Sequence, residues 1–264
     1  MENTLNLLHA LIFGIVEGIS EFLPISSTGH LILTAKLLGL DQSSFLKSFE
    51  IAIQLGAILA VVALYWKSLL VNFEIFKRVS AAFIPTAAVG FVLYKIIKKF
   101  LMGNSSVVLW SLFIGGIFLI VFEKLHREKP GATESMERIS YKQAVLIGLF
   151  QSLAMVPGVS RSAATICGGL ILGLKRKTIV EFSFLLAVPT MLAATALDLL
   201  KSADTFSADQ FGFLGVGFVT SFVVALLSIR FLLHFIKNHS FSVFPSVLRT
   251  TLILAFFTSP PERG

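Results

Sequence analysis

Two short stretches carry most of the residues able to do chemistry within otherwise apolar sequence. The first runs Glu17-Gly-Ile-Ser-Glu21-Phe-Leu-Pro-Ile-Ser26-Ser27-Thr28-Gly29-His30, and between His9 and Lys36 its two glutamates and its histidine are the only ionisable side chains. Glu17 and Glu21 are four apart, so a helix puts both carboxylates on one face, a turn apart. The second runs from Gln151 through Pro157-Gly158-Val-Ser160-Arg161-Ser162-Ala-Ala-Thr165, and Arg161 is its only charged side chain between Lys142 and Lys175. Burying a charge at the centre of a bilayer costs about 2.5–3.5 kcal/mol, and two like charges on one face cost more unless something positive sits between them. A metal ion, a shared proton or the distant arginine would serve.

Arg161 offers a planar fork matched to phosphate or carboxylate. Gly158 allows close backbone approach, while Ser160, Ser162 and Thr165 add donors beside a new helix start, where backbone N–H groups favour anions. Glu17 and Glu21 could hold a hard divalent cation that bridges to phosphate oxygens, and Ser27 or His30 could supply a nucleophile or base. As a set these groups suit phosphoryl transfer, which depends on positioning and charge neutralisation. Taken singly they have blander uses. The glutamates could be a proton or sodium site in a transporter, Ser26, Ser27 and Thr28 helix caps, His30 a satisfied polar residue, and Arg161 a salt-bridge partner.

The elements that hold these residues are set by composition. With 55% hydrophobic and 14% charged residues and a mean hydropathy of +0.86, the chain reads as an all-α polytopic membrane protein. Met1-Glu2-Asn3-Thr4 lacks the positive region of a cleavable signal peptide, so the first apolar stretch is expected in the mature protein. A single cysteine, Cys167 beside Gly168 and Gly169, excludes an internal disulfide and reads as a packing residue. The net charge of +7 is scattered over span ends, which argues against nucleic acid as a partner.

The apolar pattern predicts a broken hairpin over 5–38 and spans near 46–66, 81–99 and 106–123. A polar linker over 124–140 follows, then a second broken hairpin over 141–173 and spans near 178–200, 211–233 and 246–259. Mid-run Pro, Ser and Gly predict re-entrant helix pairs, tolerated where protein or a cavity satisfies the backbone. Ala10, Gly14 and Glu17 align with Ala144, Gly148 and Gln151, Pro24 with Pro157, and Phe49 with Phe182. Each half therefore holds one re-entrant pair and three spans, an odd number that inverts the second half. The expectation is a single membrane domain, 1–264, of two inverted repeats, about 1–123 and 141–264, joined by the linker. With both termini outside, thirteen Lys and Arg lie in inner loops against seven in outer ones.

These stretches resemble the signatures of the undecaprenyl pyrophosphate phosphatase, or BacA bacitracin-resistance, family. Glu-x-x-x-Glu followed by Pro-Ile-Ser-Ser-Thr-Gly-His matches Glu17 to His30. Pro-Gly-x-Ser-Arg-Ser-Gly-x-Thr matches Pro157 to Thr165, with Ala163 where glycine is usual. Phe49-Glu50-Ile-Ala-Ile-Gln54 and Phe182-Ser183-Phe184-Leu resemble further family segments, and Phe244-Pro-Ser-Val-Leu-Arg249 lacks the family's usual tyrosine.

The resemblance implies a hydrolase of the bacterial plasma (inner) membrane that converts undecaprenyl diphosphate to undecaprenyl phosphate and inorganic phosphate, with its site toward the outer face. That activity recycles the carrier lipid for cell-wall synthesis and confers bacitracin resistance. It further implies a divalent cation, Mg²⁺ or Ca²⁺, on Glu17 and Glu21, and an Arg161 clamp on the diphosphate. Ser26, Thr28, Gly158, Ser160, Ser162 and Thr165 would line the phosphate oxygens. Ser27 would be the nucleophile, with His30 as its base or as an alternative nucleophile, and direct attack by water stays open. The implied partners are the lipid substrate and membrane lipids, with a homo-oligomer left open. A transporter or lipid flippase built on the same inverted-repeat site is the competing class, whereas a purely structural scaffold would leave three buried charges without a purpose.

Overall fold

The computed structural model describes residues 6–41, 43–96, 105–128, 130–202 and 211–237. Among these, nine α-helices and one isolated bridge, Thr133 to Leu174, make up the regular structure apart from short 3₁₀ and π turns. The expected span at 246–259, the segment Phe244–Arg249 and the basic residues Lys98, Lys99 and Arg263 lie outside the described residues.

Five helices are long and apolar enough to cross a membrane: α3 (Ser44–Trp66), α4 (Phe73–Ile96), α5 (Ser105–Leu125), α8 (Arg176–Ser202) and α9 (Phe211–Phe235). Four are short: α1 (Leu7–Ser20), α2 (Ser27–Leu37), α6 (Tyr141–Ser152) and α7 (Arg161–Ile171). At about 1.5 Å per residue even the longest of these reaches only about 21 Å, against roughly 30 Å of hydrocarbon. The short helices occupy the two stretches where the sequence places its broken hairpins.

One boundary differs from expectation. The span expected from 81 begins eight residues earlier, at Phe73. Hydropathy discounts Glu74, Lys77 and Arg78, but these charges pair with one another along the first turns, Arg78 Nη1 lying 2.6 Å from Glu74. Their pairing lets the helix continue through them.

Backbones approach closely where the short helices pack. α1 lies against α9, and α6 against α4. A Cβ on Gly14 would fall 2.6 Å from the Gly217 carbonyl oxygen, and one on Gly148 would fall 1.9 Å from that of Ala82. Small residues permit this contact, and dispersion at short range stabilises it where apolar burial in lipid contributes little. α8 forms the centre of the bundle, with Phe182, Phe184, Leu185, Leu186 and Ala187 fully buried. Cys167 packs on the buried side of α7, as its small neighbours suggest.

Residues 126–128 and 130–140 lie as a strap at one end of the bundle. Thr133 exchanges backbone hydrogen bonds with Gly173 and Lys175, and Glu128 accepts from the Arg176 N–H at 3.0 Å. Asn72 donates to Glu137, and Arg78 Nε donates to the Ile139 carbonyl at 2.6 Å. The α3–α4 turn, the strap and the α7–α8 turn therefore share one end. Both ends of the α6–α7 hairpin lie there too, because Gln143 on α6 donates to the Leu172 carbonyl beyond α7.

Candidate active site

The tips of the two hairpins meet. After α1 the chain turns through Glu21 to Ile25, then starts α2 with Ser26 at the N-cap. Ser26 has φ 65°, the only positive φ at a non-glycine residue among those described, and such local strain clusters at functional positions. Its hydroxyl makes no cap bond, so the first-turn N–H groups of Ser27, Thr28 and Gly29 lack a helical acceptor. On the other hairpin, Gly158 has φ +92°, and a Cβ there would lie 2.6 Å from the Val108 carbonyl oxygen. Glycine is required on both counts. Ser160 caps α7 by accepting from Ala163 N–H at 3.2 Å. Ala163 is thus an ordinary helical first-turn residue, and its Cβ needs no glycine.

Arg161 and Glu21 form the bridge between the tips. Arg161 Nη2 donates to Glu21 Oε1 at 3.0 Å, with side chains only 11% and 5% exposed. Glu21 Oε2 accepts from the Ser27 hydroxyl at 2.5 Å. Hydroxyl, carboxylate and guanidinium thus form one chain across 140 residues of sequence. Arg161 Nη1 donates to the Ser183 carbonyl at 2.9 Å, while Nε is buried without a partner.

Glu17 is fully buried, and neither of its carboxylate oxygens accepts a hydrogen bond. It faces Glu21, and Glu50 of α3 and Arg161 lie within electrostatic range. One guanidinium faces two carboxylates here, and the second negative charge in an apolar interior requires a cation or a proton. Among the described residues no group of three His, Cys, Asp or Glu is arranged to hold a metal. Two hard carboxylates still fit Mg²⁺ or Ca²⁺, since such ions commonly complete their coordination with water and substrate phosphate.

His30 Nδ1 lies 2.8 Å from the Ser26 carbonyl. A carbonyl only accepts, so Nδ1 carries the proton, which in the neutral ring leaves the lone pair on Nε2. The strained turn at Ser26 thereby orients the imidazole. Ser27, for which His30 is the expected base, instead donates to Glu21.

The hydroxyls of the second stretch have protein partners. Ser162 donates to the Leu23 carbonyl at 2.7 Å and ties the hairpin tips together. Thr165 bonds the Arg161 and Ser162 carbonyls, each at 3.0 Å, and meets the Ser183 hydroxyl at 2.6 Å. Ser160 contacts Ser162 in addition to its cap. These groups hold the hairpin, and the uncapped amides lie at α2 rather than α7. Gln151, at the position matching Glu17, donates to Thr86 and Thr190 at 3.0 Å each, so the second half carries a neutral hydrogen-bonded cluster in place of an acidic one. Ser183 is the site residue that a search for charged or motif residues passes over; its only signal was the Phe-Ser-Phe segment.

Comparison with known proteins identifies the family. A family model described as bacitracin resistance protein BacA matches residues 10–252. The chain belongs to the BacA family. An undecaprenyl-diphosphatase of Aquifex aeolicus is 55% identical over 236 residues, covering 89% of this chain and 92% of that protein. The protein of the same name from Wolinella succinogenes is 51% identical, covering 91% and 93%. One from Campylobacter jejuni is 48% identical over 97% of this chain and 94% of its own.

Proposed function

We propose that this protein is an integral membrane undecaprenyl-diphosphatase, which hydrolyses undecaprenyl diphosphate to undecaprenyl phosphate and inorganic phosphate. In the cell this recycles the carrier lipid for peptidoglycan synthesis and confers bacitracin resistance. Family membership and relatives of that name along nearly the whole chain support the activity. The chemistry rests on one observation, the Ser27–Glu21–Arg161 chain joining a nucleophile, a base and an anion clamp.

Arg161 receives the diphosphate on its side-on edge, where Nε has no protein partner. The uncapped amides of Ser27, Thr28 and Gly29 stabilise charge on the terminal phosphoryl oxygens. Ser27 Oγ attacks the terminal phosphorus, its proton passes to Glu21, and the bond to the bridging oxygen breaks to release undecaprenyl phosphate. Water then attacks the phosphoserine with His30 Nε2 as base, and Ser27 Oγ leaves, recovering a proton from Glu21 as phosphate departs. Glu17 and Glu21 would hold Mg²⁺ or Ca²⁺, which when bound neutralises diphosphate charge and polarises the phosphoryl group.

The architecture is read as two inverted repeats, each opening with a re-entrant hairpin. Matching helix lengths support this, α1 and α2 corresponding to α6 and α7 and α3 and α4 to α8 and α9. The reciprocal packing of α1 on α9 and of α6 on α4 supports it too. The basic strap end is assigned to the cytoplasm and the site to the outer face of the bacterial plasma membrane.

The test is phosphate release from undecaprenyl diphosphate by detergent-purified protein, with Mg²⁺ or Ca²⁺ and with EDTA, beside Glu21→Ala. Cation-dependent release that is lost in the variant is the expected result. No release from folded protein would favour transport, because detergent removes the compartments that transport requires.

A further inference from the structure

Ser183 lies outside both motif stretches, on α8, yet it touches the clamp twice. Its carbonyl accepts from Arg161 Nη1 at 2.9 Å, and its hydroxyl lies 2.6 Å from that of Thr165. Thr165 in turn bonds the carbonyls of Arg161 and Ser162, fixing the first turn of α7 from which the arginine projects. Ser183 and Thr165 are both fully buried, so these bonds face no competition from solvent.

Glu21 and Ser183 hold different nitrogens of one planar group, Nη2 and Nη1. Two fixed points and a plane leave the guanidinium a single orientation, with Nε directed elsewhere and buried without a partner. Glu21 alone would leave rotation about the Nη2 contact. The neighbouring packing is stiff: Phe184 meets Phe22 of the other hairpin edge to face, with ring centroids 5.2 Å apart.

The two halves differ at this position. Residue 183 corresponds to Glu50, just as Phe182 corresponds to Phe49. In the first half that site carries a carboxylate within electrostatic range of Glu17. In the second half a neutral serine stands behind Arg161. A carboxylate there would compete with phosphate for the guanidinium, whereas a carbonyl and a hydroxyl orient it without neutralising it.

We propose that Ser183, through its hydroxyl contact with Thr165 and its carbonyl contact with Arg161, is a positioning residue that aims the Arg161 fork at the diphosphate. It rests on the phosphatase reading and names a residue which that mechanism does not use.

The experiment measures binding of a non-hydrolysable methylene-diphosphonate prenyl analogue to the full-length protein in detergent, together with turnover. Ser183→Ala and Thr165→Val each remove the hydroxyl pair from one side. Each is expected to weaken analogue binding about tenfold with an unchanged thermal midpoint, while Thr165→Ser retains binding within about twofold. In an Arg161→Lys background Ser183→Ala should cost no more than about twofold further, because the fork it aims is gone. Wild-type binding in Ser183→Ala or Thr165→Val would overturn the proposal. So would an equal penalty in both backgrounds, or a loss of folding that accompanies the loss of binding in both variants. Failure of the wild-type protein to bind the analogue at all would instead overturn the phosphatase reading.

Discussion

Arg161 is held by a carboxylate and a carbonyl, and its third donor, Nε, has no protein partner. Lysine cannot reproduce that fork. Arg161→Lys is therefore expected to lower kcat/KM by about 10²–10³-fold in folded protein, read as phosphate release; near-normal turnover would remove the clamp. Ser27 and Glu21 share one short hydrogen bond, which supports the proposed role of the serine as nucleophile. Ser27→Ala should lose at least about 10³-fold in kcat. A loss of only tenfold would transfer the attack to water, with Glu21 as its base. Chelation by EDTA should abolish turnover and added Mg²⁺ or Ca²⁺ should restore it, because neither oxygen of the buried Glu17 carboxylate has a hydrogen-bond partner.

At the level of elements, close backbone approach brings the hairpins in, and buried side chains such as Phe13, Phe22, Ile147 and Ile166 pack the contact. Gly148 has no room for a methyl group, its Cβ falling 1.9 Å from a carbonyl of α4. Gly148→Ala should destabilise by about 1–3 kcal/mol or more and lower the thermal midpoint in detergent. Gly115 on α5 has nothing within 4 Å of that position. Gly115→Ala should leave the midpoint unchanged or raise it, since alanine is the better helix former by about 0.5–1 kcal/mol. An equal response from both would mean that the α6–α4 contact is looser than described. The short helices themselves were legible: Pro24 and Pro157 with their hydroxyl clusters break the apolar runs, and the structure breaks there. The start of α4 was not legible, because hydropathy counts Glu74 and Arg78 singly whereas the helix pairs them.

At the scale of the whole molecule, the strap joins the turns of both halves at one end. If that end is cytoplasmic, a Glu134→Cys variant in a Cys167→Ser background should resist an impermeant thiol reagent in intact cells and react after permeabilisation. Glu134 is exposed and Cys167 buried, so the signal comes from the introduced thiol. Labelling of intact cells would reverse the orientation and turn the site inward.

The sequence by itself determined the class, the breaks and the chemical inventory. Composition, periodicity and lone ionisable residues are one-dimensional properties, and a charge within an apolar run is costly wherever the run folds. It also motivates the proposed repeat, since Gly14 and Gly148 recur with their neighbours. Only tertiary structure decided which groups meet. Glu21 and Arg161 are 140 residues apart, and no local pattern says that Ser27 donates to Glu21, that Ser162 ties to Leu23, or that Ser183 accepts from Arg161. Those pairings follow from how two hairpin tips pack against α8, where each buried polar group must find a partner and the nearest one available decides its use.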